Sequence, residues 1–191
     1  MKLFKNIKKW LEDQEHLFYL FLFILIVPNI VLCFTEPLSF IAKVCNVLLP
    51  FGCYYLLMTL SRNCGKMLWI LFLFLFFGAF QIVLLYLFGQ SIIAVDMFLN
   101  LATTNSSEAM ELLDNLLPAL VTIVILYIPA LILGMISIVR KRRLSVDFIR
   151  RQRKRAWGVL AIGFLSLGAA YLLDKKYEMT TDLYPVNVCY N

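Results

Sequence analysis

Leu17-Phe-Tyr-Leu-Phe-Leu-Phe-Ile-Leu-Ile-Val-Pro-Asn-Ile-Val-Leu-Cys-Phe34 runs for 18 residues without a charge. As a helix it spans about 27 Å, close to the roughly 30 Å of a bilayer's hydrocarbon core. Comparable runs fall at 38–60, 67–89, 118–139 and 157–173. Hydrophobic residues make up 62% of the 191 and charged residues 16%, against roughly half and a quarter in soluble domains. The expectation is an all-α polytopic membrane protein. It is a bundle of five transmembrane helices, with a periplasmic helical segment at 90–117 between the third and fourth. A cleaved signal peptide fits poorly, because acids interrupt the basic lead and Leu32 is a poor small residue before Cys33.

Irregularities mark several spans. Pro28, Pro50 with Gly52, and Pro129 are kink candidates; Thr35-Glu-Pro37 reads as a tight turn. Lys43 lies one turn inside the second span. It either snorkels to the surface or marks a functional charge. The run Leu71-Phe-Leu-Phe-Leu-Phe-Phe77 reads as lipid-facing bulk. Residues 91–101 read as an interfacial amphipathic segment and 106–117 as a short helix turning Glu108, Glu111 and Asp114 to water. Pro118 opens the fourth span. Gly158, Gly163 and Gly168 recur every five residues, so the fifth span carries no GxxxG motif. Residues 174–191 read as a polar tail without a closing element.

The formal net charge is +6, yet the basic residues sit beside the apolar runs, as topology signals do, and no nucleic-acid partner is implied. With the N-terminus inside, the inner segments hold 15 Lys and Arg and the outer tail two. That bias puts the N-terminus in the cytoplasm and the C-terminus on the outer face. Nine of the inner cations lie in one loop at 140–155, which holds orientation and could also attract anionic head groups.

No catalytic set is visible: HExxH, GxSxG, CxxC and phosphate-cradling glycine loops are all missing. His16, the single histidine, lies in the cytoplasmic lead. Cys33, Cys45, Cys53, Cys64 and Cys189 form no disulfide or zinc pattern, and no catalytic or metal-binding residue, nor any cofactor, is read in this chain.

The longest polar island is Asp96-Met-Phe-Leu-Asn-Leu-Ala-Thr-Thr-Asn-Ser-Ser-Glu108. On a continuous helix Asn100, Thr104 and Glu108 share a face. An amide, a hydroxyl and a carboxylate in a row suit a zwitterionic head group, the carboxylate pairing with an ammonium and the others donating to phosphate. A second reading stands beside it. Asn105-Ser-Ser-Glu108 is a capping-box pattern that opens a helix, and a bend there would separate the three.

The order of five spans, the large outer segment after the third, and the string Phe98-Leu-Asn-Leu-Ala-Thr-Thr-Asn-Ser-Ser-Glu-Ala-Met-Glu-Leu-Leu113 resemble the N-terminal membrane domain of the bacterial phosphoethanolamine transferases. These inner-membrane enzymes modify lipid A or core lipopolysaccharide and include the polymyxin-resistance transferases. The family's Asn-x-x-x-Thr-x-x-x-Glu pattern is met by Asn100, Thr104 and Glu108, and Tyr184-Pro-Val-Asn-Val188 is similar to the start of the family's linker. The resemblance implies phosphatidylethanolamine as donor, lipid A or core lipopolysaccharide as acceptor, and those three residues as part of the head-group site. It also implies a sulfatase-like domain with a threonine nucleophile and zinc, which these 191 residues lack. The chain then reads as a truncated member, a fragment or a remnant without turnover of its own. The alternative is a free-standing five-span assembly or regulatory protein with no enzymatic activity.

Overall fold

The computed structural model describes residues 12–88 and 106–186, with the backbone alone at 84–88, 106–116, 119 and 181. Among these residues lie seven helices: α1 Gln14–Thr35, α2 Phe40–Met58, α3 Cys64–Ile70, α4 Phe72–Phe88, α5 Ser106–Val139, α6 Val146–Leu173 and α7 Met179–Asp182. The architecture is all-α. α1, α2, α5 and α6 are each long and apolar enough to cross a membrane, and α3 with α4 makes a fifth crossing where that bent pair is counted as one.

Side-chain oxygens start the helices where the sequence supplies them. Asp13 accepts from the Glu15 N–H, Ser39 from Ala42, Asn63 from Lys66 and Ser145 from Phe148. Each such cap is worth about 1 kcal/mol. α1 is the central helix. It packs on α2 to one side and on α3, α4 and α5 to the other, while α6 joins mainly through α2. The short links between α2 and α3 and between α5 and α6 lie at one end, called here the basic end. α1 finishes, α2 starts and α6 finishes at the other, the tail end.

Glycines let α2 and α6 approach closely. A Cβ on Gly52 would sit 2.8 Å from the Leu160 Cα, and one on Gly163 would sit 2.8 Å from the Leu49 Cα. α2 and α6 therefore approach through two reciprocal gaps, the device by which small residues drive association in lipid. Of the three glycines spaced by five, only Gly163 serves this; Gly158 and Gly168 have nothing within 4 Å.

Four boundaries differ from the expectation. The third span is not one straight helix: α3 and the following helix are bent by 61° at Leu71, with neither proline nor glycine there to mark it. Residues 106–117 are not a separate short helix, because α5 continues through Pro118 into the fourth crossing. The 140–155 run is only partly a loop. α6 starts at Val146, well ahead of residue 157, because Ser145 caps it and Phe148, Ile149, Gln152 and Ala156 give it a buried face. Gln152 accepts from Tyr55 Oη and donates to Tyr19 Oη, and Arg153 donates to the Thr59 carbonyl.

The fourth difference is the tail. Residues 174–186 fold back on the bundle instead of trailing from it. Tyr177, Leu183 and Tyr184 are buried, and the Tyr184–Pro185 peptide bond is cis. At its root, hydrogen bonds from the Ser39 hydroxyl and the Lys176 N–H hold the Asp174 carboxyl below its usual range. The stabilisation from that contact is present above the ordinary carboxylate pKa and lost as pH falls through the depressed value.

Candidate functional site

Asn100 and Thr104 lie outside the described residues. Glu108 is the third residue of α5. The described backbone does not separate a capping role for Glu108 from a ligand role.

α5 has 34 residues, about 51 Å at 1.5 Å per residue. Its membrane-length apolar part is Leu120–Val139, which alone matches a hydrocarbon core. Glu108 lies 12 residues before Leu120, about 18 Å along the helix axis, enough to carry it beyond the apolar slab. α5 reaches the basic end at its C-terminus, where the Asn63 amide donates to the Ser137 carbonyl at 3.1 Å. Glu108 therefore belongs to the tail end.

That end has a polar core the sequence reading did not single out. Asn29 is 0% exposed inside α1, and its Nδ2 donates to the Tyr184 carbonyl at 2.7 Å. Asn46, equally buried in α2, donates from Nδ2 to the Asp182 carbonyl and accepts at Oδ1 from Tyr177 Oη at 3.2 Å. Burial raises the Tyr177 phenol pKa, reinforced by the Cys45 thiol beside it, so the hydroxyl stays a donor. The Tyr184 hydroxyl reaches across to the Phe74 carbonyl in α4. Two amides within apolar spans thus hold the returning tail. An amide inside an otherwise apolar run was the signal available, since a buried carboxamide needs partners that lipid cannot give.

Gln81 in α4 is a third such amide, 2% exposed, and neither Nε2 nor Oε1 has a hydrogen-bond partner. It stands one turn beyond Gly78, where a Cβ would press to 2.6 Å from the Pro28 Cγ and 3.2 Å from the Tyr184 Oη. Leaving a buried amide unpaired costs about 1–3 kcal/mol for each group. Among the described residues Gln81 is the buried side chain with two unpartnered polar atoms, where a water or ligand group has much to gain. Asn29 Oδ1 is also unpartnered.

Among the described residues no three His, Cys, Asp or Glu side chains gather as metal ligands. No described cluster offers zinc a ligand set, and no transfer step is placed on one. Cys33, Cys45, Cys53 and Cys64 are free thiols; Cys189 lies outside the described residues. No known family, curated relative or solved structure matches the chain.

Proposed function

We propose that this chain is the membrane-anchoring and donor-lipid-binding part of a phosphoethanolamine transferase. It would hold phosphatidylethanolamine for transfer to lipid A or core lipopolysaccharide at the inner membrane, N-terminus in the cytoplasm. The reading rests on the Asn100, Thr104 and Glu108 pattern. What supports it is the length of α5, which carries Glu108 past the apolar slab at the end where the tail is seated. The unpartnered Gln81, on the helix leading towards the pattern, adds a carboxamide able to donate and accept. In this reading the Glu108 carboxylate pairs with the ammonium while Asn100 and Thr104 donate to phosphate oxygens. The nucleophile and zinc belong to a separate catalytic domain.

The test is phosphatidylethanolamine binding to the purified protein. Glu108→Gln removes the ammonium's charged partner and keeps side-chain size. A charge-assisted hydrogen bond of roughly 1.5–3 kcal/mol is lost, so affinity should fall by about one to two powers of ten. Phosphatidylglycerol, which has no ammonium, should bind both proteins alike. Asn105→Ala should cost about 1 kcal/mol of stability without that loss of affinity. Glutamine also serves the capping box. A Glu108→Gln protein that binds phosphatidylethanolamine like wild type therefore removes the head-group reading and leaves the free-standing assembly or regulatory protein.

Orientation has its own check, in a cysteine-free background. An impermeant thiol reagent applied outside spheroplasts should label Ser107→Cys and spare Arg150→Cys, an exposed position at the basic end. The reverse pattern would put the proposed site on the cytoplasmic face. Native Cys64, an inside reporter by sequence, is 0% exposed and would stay silent in either orientation.

A further inference from the structure

The basic end holds a recess of about 560 Å³ between the α2–α3 and α5–α6 links. Arg62, Lys66, Lys141 and Arg143 line it, with Leu60 and Ile138 on its apolar side. We propose that this recess binds a phosphate-bearing anion, presented by the head group of an anionic phospholipid whose chains lie along the adjoining helices.

Orientation alone asks only that cations be present on one side of the membrane; it does not ask that they converge. Here two links are latched so that they do. The Leu144 N–H donates to the Arg62 carbonyl at 2.7 Å, and Arg62 Nε returns a bond to the Leu144 carbonyl at 3.0 Å. The Asn63 amide donates to the Arg142 carbonyl at 2.9 Å. With Nε engaged, the terminal nitrogens of Arg62 keep a fork suited to a phosphate.

None of the four cations has an ion-pair partner among the described residues. The pairs of His16 with Asp13 and of Arg140 with Glu12 do not touch the recess. The nearby Arg142 turns away, its Nη1 donating to the Glu12 carbonyl at 2.8 Å.

Lys141 adds an independent argument. α5 ends in a paired cap, with the Lys141 N–H on the Ile138 carbonyl and the Arg142 N–H on the Ser137 carbonyl. That cap needs a left-handed residue, and Lys141 has φ 51°. Glycine fills this position most readily, since a side chain there meets the following carbonyl. A lysine here gives up backbone ease and puts an ammonium at the recess. The apolar side and the position at the ends of membrane-length helices fit a lipid better than a free anion, and a basic pocket between spans is a known way of holding acidic head groups.

Lys141→Gly separates the charge from the fold. In neutral detergent, affinity for phosphatidylglycerol should fall about fivefold, the effect of one charge near a membrane surface, while the thermal midpoint stays level or rises. Adding Lys66→Gln should lower affinity by a further similar factor, and wild-type binding should weaken with salt. Arg150→Gln with Lys154→Gln removes two exposed charges from α6 outside the recess and should change binding little. Equal losses in that control would show diffuse attraction and overturn the proposal, as would equal wild-type affinity for phosphatidylglycerol and phosphatidylcholine. Glycerol phosphate separates the sources. Binding it much more weakly than phosphatidylglycerol supports the lipid, whereas binding it equally would overturn the lipid source.

Discussion

Gly65→Ala should lower the thermal midpoint in detergent by about 6–12 °C, at 2–4 °C per kcal/mol for a chain of this size. A Cβ at Gly65 would lie 2.2 Å from the Gly134 carbonyl oxygen and 2.9 Å from its carbon. Both are backbone atoms of α5, so no side chain can rotate away, and the two helices must separate. Overpacking of this kind costs on the order of 3 kcal/mol at its upper end. The loss has no hydrophobic compensation, because lipid tails are as apolar as the helix surface that would part. Gly158→Ala is the control: with nothing within 4 Å it should be neutral or gain up to about 1 kcal/mol of helix propensity. If Gly65→Ala leaves the midpoint within a degree of wild type, α3 and α5 do not meet at this distance.

Tyr184→Ala should cost about 3–5 kcal/mol, the range for removing a large buried ring, and should free the tail. The ring is 0% exposed and its hydroxyl reaches the Phe74 carbonyl. Removing it therefore leaves a cavity as well as a lost hydrogen bond. Tyr184→Phe isolates the second effect and should cost about 1 kcal/mol. Hydrogen exchange is the decisive readout. Amides of the tail from Tyr177 to Tyr184 should lose protection in Tyr184→Ala and largely keep it in Tyr184→Phe. Unchanged protection in Tyr184→Ala would mean that Asn29 and Asn46 hold the tail without the ring.

The glycine and tyrosine results would both report on contacts that local sequence pattern does not encode. Gly163 was visible as one of three evenly spaced glycines. Its role depends on Leu48 and Leu49, more than a hundred residues earlier, lying across from it. The bend at Leu71 falls inside an unbroken aromatic and leucine run, where local residues give no reason to stop. Residues 174–186 are polar enough to read as a free tail, and what seats them is a pair of amides, Asn29 and Asn46, in helices far away in sequence.

The amino-acid sequence by itself determined that this is an all-α chain of membrane-length apolar helices, because the length of an apolar run and the thickness of a bilayer are both local, one-dimensional quantities. The helix starts at Asp13, Ser39, Asn63 and Ser145 are local too, since a cap needs only the residues beside it, but the apolar runs did not mark them and put the last start at 157 instead of Val146. The candidate site was legible as a pattern at Asn100, Thr104 and Glu108 and no further, because shared helical spacing says which residues can align and not what they face. Only the tertiary structure decided which glycines touch, where the third crossing bends, that the tail returns to Asn29 and Asn46, and that Arg62, Lys66, Lys141 and Arg143 surround one recess. Each of these depends on which helix faces which. In a lipid solvent every apolar face is acceptable, so that choice is made by close backbone approach and by the few buried polar groups that must find partners.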